Sequence, residues 1–122
     1  MIKSFFTKTS GIRNYHSLTG GQIIYNKLLE NKVENVWLYS GGAIMPVVDE
    51  FFKGKINYYI NTHEQSGGHA ATAYAKSTGK PGISIVTSGP GLTNSVTALT
   101  DATNDSTPFI LFSGNVPLNA VG

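Results

Sequence analysis

Four short apolar runs, at residues 36–39, 56–60, 83–86 and 109–112, constrain this chain more than any other feature. The first reads Val36-Trp37-Leu38-Tyr39 and the third Ile83-Ser84-Ile85-Val86, rich in β-branched and aromatic strand formers. Each is a near-continuous apolar run rather than an alternating one, the pattern of parallel strands buried on both faces. Helical spacing fills the gaps between them. Thr19-Gly20-Gly21-Gln22 can cap and open a helix whose spacing is set by Ile23, Ile24, Lys27, Leu28 and Leu29, with Asn31 and Lys32 ending it. Residues 43–52 are helical again, with Pro46 tolerated near the start. An Ala-rich helix is expected over 64–77, and another over 92–103 with Val96 and Leu99 on one face. Turns fall at 79–82 and 88–91, and Gly114 ends the last strand. The order is helix, then strand–helix three times, then strand. That order predicts an α/β fold: a parallel sheet flanked by helices, connected by right-handed crossovers.

Composition narrows the function classes. A length of 122 residues is one domain or a piece of one. With 40% hydrophobic and 13% charged residues, the chain is too apolar to be disordered. Nine basic against seven acidic residues leave a net charge of +2, which gives no footprint for nucleic acid or a membrane surface. No apolar run approaches a membrane span. The absence of cysteine removes disulfides, thiolate catalysis and Cys-based zinc sites. Residues 1–18 carry Lys3, Lys8 and Arg13 and no carboxylate, and read as a flexible basic arm with some likeness to an organellar transit segment. The regular domain spans 19–122. The expected location is cytoplasmic, with mitochondrion or plastid as the alternative.

In sheets of this kind ligands bind beyond the carboxyl ends of the strands. Ser40-Gly41-Gly42, Asn61-Thr62-His63-Glu64-Gln65, Thr87-Ser88-Gly89-Pro90-Gly91 and Ser113-Gly114-Asn115 all fall there, each mixing small with polar residues. Glu64 opens a helix directly after a buried strand. It can cap free N–H groups, or it can hold a proton at a ligand edge. His63-Glu64-Gln65-Ser66-Gly67 begins like a zinc-protease helix but has Gly67 where the second histidine belongs, and His69 is six residues from His63. Residues 88–91 form neither a Walker loop nor a dinucleotide fingerprint. No metal ligand is assigned.

Residues 63–75 (His63-Glu64-Gln65-Ser66-Gly67-Gly68-His69-Ala70-Ala71 onward), Gly79-Lys80-Pro81-Gly82 and Thr87-Ser88-Gly89-Pro90-Gly91-Leu92-Thr93-Asn94 together resemble the N-terminal pyrimidine-binding domain of acetolactate synthase catalytic subunits, which are thiamine-diphosphate enzymes. Residues 36–43 and 113–117 extend the resemblance, which covers about 19–122. It implies an enzyme condensing pyruvate with a second 2-keto acid in branched-chain amino-acid biosynthesis. It also implies thiamine diphosphate, Mg²⁺ and, in many members, FAD, the last two held by domains absent from this chain. A homodimer or higher oligomer and a regulatory subunit are the implied partners. Two alternatives stand beside this: another thiamine-diphosphate decarboxylase or carboligase, and a non-catalytic relic domain.

The resemblance assigns the catalytic role to Glu64. In that family this glutamate hydrogen-bonds the pyrimidine ring nitrogen and favours the imino tautomer that takes the thiazolium C2 proton. Such chemistry asks for a desolvated carboxyl with a raised pKa. Pro90 and Asn94 match residues lining the pyrimidine. Gly42 matches a backbone close to the cofactor, and Tyr39 an aromatic near the reacting centre. Asn115 stands where the family has a glutamine that reaches the site, one methylene longer. Ser40 replaces the proline of the family's Tyr-Pro-Gly-Gly. Related subunits are several times longer, so the domain is expected to be incomplete at its C-terminus and the chain alone inactive.

Overall fold

The computed structural model describes residues 17–121. The expectation of a flexible arm over 1–18 falls, for residues 1–16, outside the described residues. The elements are α1 (Gly20–Glu30), β1 (Asn35–Leu38), α2 (Met45–Lys53), β2 (Asn57–Ile60), α3 (Glu64–Thr78), β3 (Gly82–Val86), α4 (Pro90–Asn94), α5 (Val96–Asn104) and β4 (Phe109–Ser113). Short 3-10 turns occupy Gly42–Ile44 and Leu118–Ala120. All four strands pair in parallel in the order β2-β1-β3-β4, as the sequence pattern predicts for an α/β sheet.

Helix α1 opens with a capping box. The Gln22 N–H donates to Thr19 Oγ1 at 3.3 Å, and the Thr19 N–H donates to Gln22 Oε1 at 3.1 Å. Its buried face is Gly21, Tyr25 and Leu28, whereas Leu29 is exposed. Tyr25 is the residue the apolar stripe left out. Its ring meets Phe51 edge-on, with centroids 5.2 Å apart. Its hydroxyl accepts from the backbone N–H groups of Lys55 at 2.6 Å and Ile56 at 3.3 Å. A β-carbon on Gly54 would overlap that hydroxyl, so the close approach requires glycine there. One side chain thereby ties α1 to the end of α2 and the start of β2.

Two layers cover the sheet. Val36, Leu38, Ile83 and Ile85 point into the core with Tyr25, Leu28, Val47, Val48 and Phe51 of α1 and α2. Positions of the opposite parity meet α3. Trp37 packs on Tyr74 at 5.3 Å, and a β-carbon on Gly82 would run into the Ala71 carbonyl. The contact face of α3 is Gly67, Gly68, Ala71 and Ala75, small enough to bring its backbone onto β3 and α5.

Two expectations need correction. Only β3 is buried along its whole length. The edge strands β2 and β4 expose Tyr59, Ile60 and Ile110, while their Tyr58 and Phe112 pack against the core. The single helix expected over 92–103 is two helices that break at Ser95. Ser95 is fully buried and its hydroxyl donates to the Gly91 carbonyl at 3.0 Å, a local bond that competes with regular helix geometry. Val96 and Leu99 are exposed, and Ala98 and Ala102 face inward. Close packing of α5 on α3 selects small residues: a β-carbon on Gly68 would stand 2.6 Å from that of Ala98.

Candidate active site

The strand order reverses between β1 and β3, since β1 leads outward to β2 on one side while β3 and β4 lie on the other. Crevices at such switch points, beyond the carboxyl ends of the strands, are where open α/β sheets bind ligands. The loops that follow β1 and β3 meet there. The Tyr39 N–H continues the pairing by donating to the Ile85 carbonyl at 3.0 Å. A β-carbon on Gly41 would lie 2.5 Å from both Cβ and Oγ1 of Thr87. The β4 loop joins them, because Ser113 Oγ donates to the Thr87 carbonyl at 3.2 Å and Gly114 packs on Ala43.

Glu64 is the first residue of α3 and is buried, with 7% of its surface exposed. Capping, one of its two expected roles, falls instead to His63. The His63 Nδ1 accepts from the Gln65 N–H at 3.2 Å, so a neutral ring carries its proton on Nε2. The carboxyl of Glu64 is therefore turned to other work. Its Oε2 accepts from Asn94 Nδ2 at 3.0 Å. Among the described residues no protein donor reaches Oε1, and that atom is not sealed from solvent. The amide occupies Oε2, which leaves Oε1 as the carboxyl oxygen that can meet a ligand.

Asn94 ends α4, and Pro90 begins it. Gly89, just before, has φ 59° and ψ −115°, a conformation that only glycine adopts without strain. That kink turns the chain from the sheet edge into α4 and aims Asn94 at Glu64. Added β-carbons at Gly42 and Gly89 would meet nothing within 4 Å, so both present bare backbone to open space.

Of the residues singled out from sequence, Glu64 and Asn94 are in contact, with Pro90 on the same short helix as Asn94. Gly42 lies on the loop that packs against Thr87, and Tyr39 at the root of that loop. Asn115 is exposed, and its side-chain oxygen is folded back onto the Val116 N–H at 2.8 Å. Gly41, His63, Thr87 and Gly91 fall in the segments that the sequence places at the ligand edge, but the sequence singles out none of them as a site residue; the fold makes His63 the cap of α3 and packs Thr87 against Gly41 and Gly91.

The sequence model of the family described as "Thiamine pyrophosphate enzyme, N-terminal TPP binding domain" matches residues 18–122. The chain belongs to this family. Among curated relatives, acetolactate synthase, mitochondrial, of Schizosaccharomyces pombe is 46% identical over 105 residues, covering 85% of this chain and 16% of the relative. The acetolactate synthase catalytic subunit, mitochondrial, of Saccharomyces cerevisiae is 46% identical over 110 residues, covering 89% and 16%. The acetolactate synthase isozyme 2 large subunit of Escherichia coli is 42% identical over 105 residues, covering 86% and 19%. The chain thus spans less than a fifth of the length of these relatives. The family's description names thiamine pyrophosphate as what such a domain binds.

Proposed function

We propose that the chain is the pyrimidine-binding part of an acetolactate synthase, in which Glu64 holds and relays a proton at the ring nitrogen of thiamine pyrophosphate. The observation that carries this reading is the buried Glu64 carboxyl at the switch point, with Oε2 held by Asn94 and Oε1 open. The residues present fit the group. A flat nitrogen heterocycle needs a fixed carboxyl oxygen to bond and room to lie against backbone, and the same sheet edge offers bare backbone facing open space at Gly42 and Gly89. When bound, the cofactor supplies the electron sink that a 2-keto acid needs for carbon–carbon bond formation.

The chain's own residues orient and relay. Asn94 keeps Glu64 from rotating, so that Oε1 meets a ligand in one direction. Pro90 and Gly89 fix the start of α4 and hence Asn94. Gly42 lets backbone come close to the ring, and Tyr39 stands at the root of that loop. Asn115, in place of the family's glutamine, belongs to the cofactor-binding edge and bears on substrate handling. Magnesium and FAD belong to this reading as cofactors of the whole enzyme, held by residues outside this chain. So do a homodimer or higher oligomer and a regulatory subunit, and the chain alone makes no acetolactate. The basic, carboxylate-free residues 1–18 and the mitochondrial names of two relatives support a mitochondrial rather than a cytoplasmic location.

The test is acetolactate formation from pyruvate by the full-length protein carrying this chain, with thiamine pyrophosphate and Mg²⁺. Turnover is expected, and Glu64→Gln should lower it at least ~100-fold, the low end for general acid–base catalysis. No product from pyruvate, alone or with 2-ketobutyrate, would reject the acetolactate synthase reading.

A further inference from the structure

Thr87 lies where the three loops of the site converge, yet neither the sequence pattern nor the reading above gives it a task. It is half-buried at the end of β3. Its Cβ and hydroxyl, at 2.5 Å, and its γ-methyl, at 2.8 Å, fill the space a Gly41 β-carbon would need. The same γ-methyl stands 2.8 Å from a β-carbon built on Gly91. That same built atom would lie 3.5 Å from Glu64 Oε1. Gly41, Thr87, Gly91 and Glu64 therefore form one contiguous stack across the switch point. The Thr87 carbonyl anchors the β4 loop through Ser113 Oγ. The Thr87 hydroxyl makes no side-chain hydrogen bond among the described residues, so shape is what this residue contributes.

We infer that Thr87 is a positioning residue: its γ-methyl sets the height of α4 above the β1 loop and thereby the Asn94–Glu64 hydrogen bond. The mechanical argument is direct. Gly91 is the second residue of α4 and Asn94 the last, so a short rigid helix carries any displacement at Gly91 to the amide that holds Glu64. When a methyl group is deleted, the structure it touched relaxes partway into the space left. A smaller residue at 87 lets α4 settle toward the sheet, and Asn94 then loses its alignment with Oε2. This inference rests on the assignment of Glu64 given above, but its physical content does not require a cofactor.

The closing experiment uses the 122-residue chain and an exchange of one methyl group. Thr87→Ser deletes the γ-methyl, and Gly91→Ala adds a methyl in nearly the same space. Thr87→Val keeps the γ-methyl and removes only the hydroxyl. The Asn94 side-chain amide, observed by ¹⁵N–¹H correlation NMR, reports the hydrogen bond to Glu64. Unfolding in urea reports packing. Thr87→Ser should shift the Asn94 amide resonance, Thr87→Val should leave it near the wild-type position, and the Thr87→Ser/Gly91→Ala double variant should return it. The double variant should also be more stable than the sum of its single changes by about tenfold in the unfolding constant, within the range for residues in direct contact. Gly91→Ala alone should be destabilised; if it does not fold, the Ser, Val and double variants still decide the matter. Additive stabilities would overturn the contact itself. Coupled stabilities with an unmoved Asn94 signal would make Thr87 a packing residue only and overturn its positioning role. Neither readout involves thiamine pyrophosphate, so a failure here is separate from a failure of Glu64 in proton exchange.

Discussion

Asn94 Nδ2 donates to Glu64 Oε2 across 3.0 Å, joining the end of a one-turn helix to the start of a four-turn helix thirty residues earlier. The bond fixes which carboxyl oxygen remains open to a ligand. It also makes a clear prediction. Asn94→Asp places two carboxyls in contact in a part-buried site. Near neutral pH both are ionised in the unfolded chain, whereas in the folded chain their repulsion raises the affinity of the pair for a proton. The folded variant thus binds more protons than the unfolded one, and its deficit relative to wild type should shrink as pH falls toward about 4. Urea unfolding of both proteins at several pH values measures this. A deficit that does not depend on pH would mean that the two groups are not in contact.

Tyr25→Phe removes one oxygen atom and leaves the Lys55 and Ile56 N–H groups without their acceptor. The expected loss is about 1–3 kcal/mol, the cost of an unsatisfied buried donor. Equilibrium unfolding measures it, and a change near zero would show that water replaces the hydroxyl.

Gly89→Ala forces a β-carbon into backbone at φ 59° and ψ −115°. No neighbour obstructs it, so the cost is conformational, about 1–3 kcal/mol. The shift in thermal midpoint reads this, together with the Asn94 side-chain resonance that follows α4. Stability equal to wild type would contradict the assigned turn geometry.

Asn115 spends its side-chain oxygen on the adjacent Val116 N–H. A longer glutamine breaks that local ring and frees the amide. In the full-length protein, Asn115→Gln should change the preference between pyruvate and 2-ketobutyrate while cofactor affinity stays constant. Unchanged steady-state parameters for both would leave Asn115 a turn residue.

The sheet was legible because strands such as Ile83-Ser84-Ile85-Val86 carry their burial in their composition. The carboxyl edge was legible because chain order alone puts Glu64, Pro90 and Asn94 just after strands. The inward face of α5 was not. Hydropathy favours Val96 and Leu99, but helix–helix proximity selects Ala98 and Ala102, and no local pattern reveals how near a neighbouring helix lies. Tyr25 was hidden for a similar reason, since its value lies in two backbone donors thirty residues away. Thr87 is the extreme case. Its contacts are with glycines from two different loops, and only the folded switch point brings them together.

The central claim is that Glu64 works on the cofactor's pyrimidine ring. The most direct measurement is the hydrogen–deuterium exchange rate at C2 of thiamine pyrophosphate bound to the full-length protein, compared with Glu64→Gln. The glutamine keeps the size and the bond to Asn94 but cannot relay a proton. Exchange in the variant should be slower by ~100-fold or more, with cofactor still bound. An exchange rate equal to wild type at full cofactor occupancy would contradict the account.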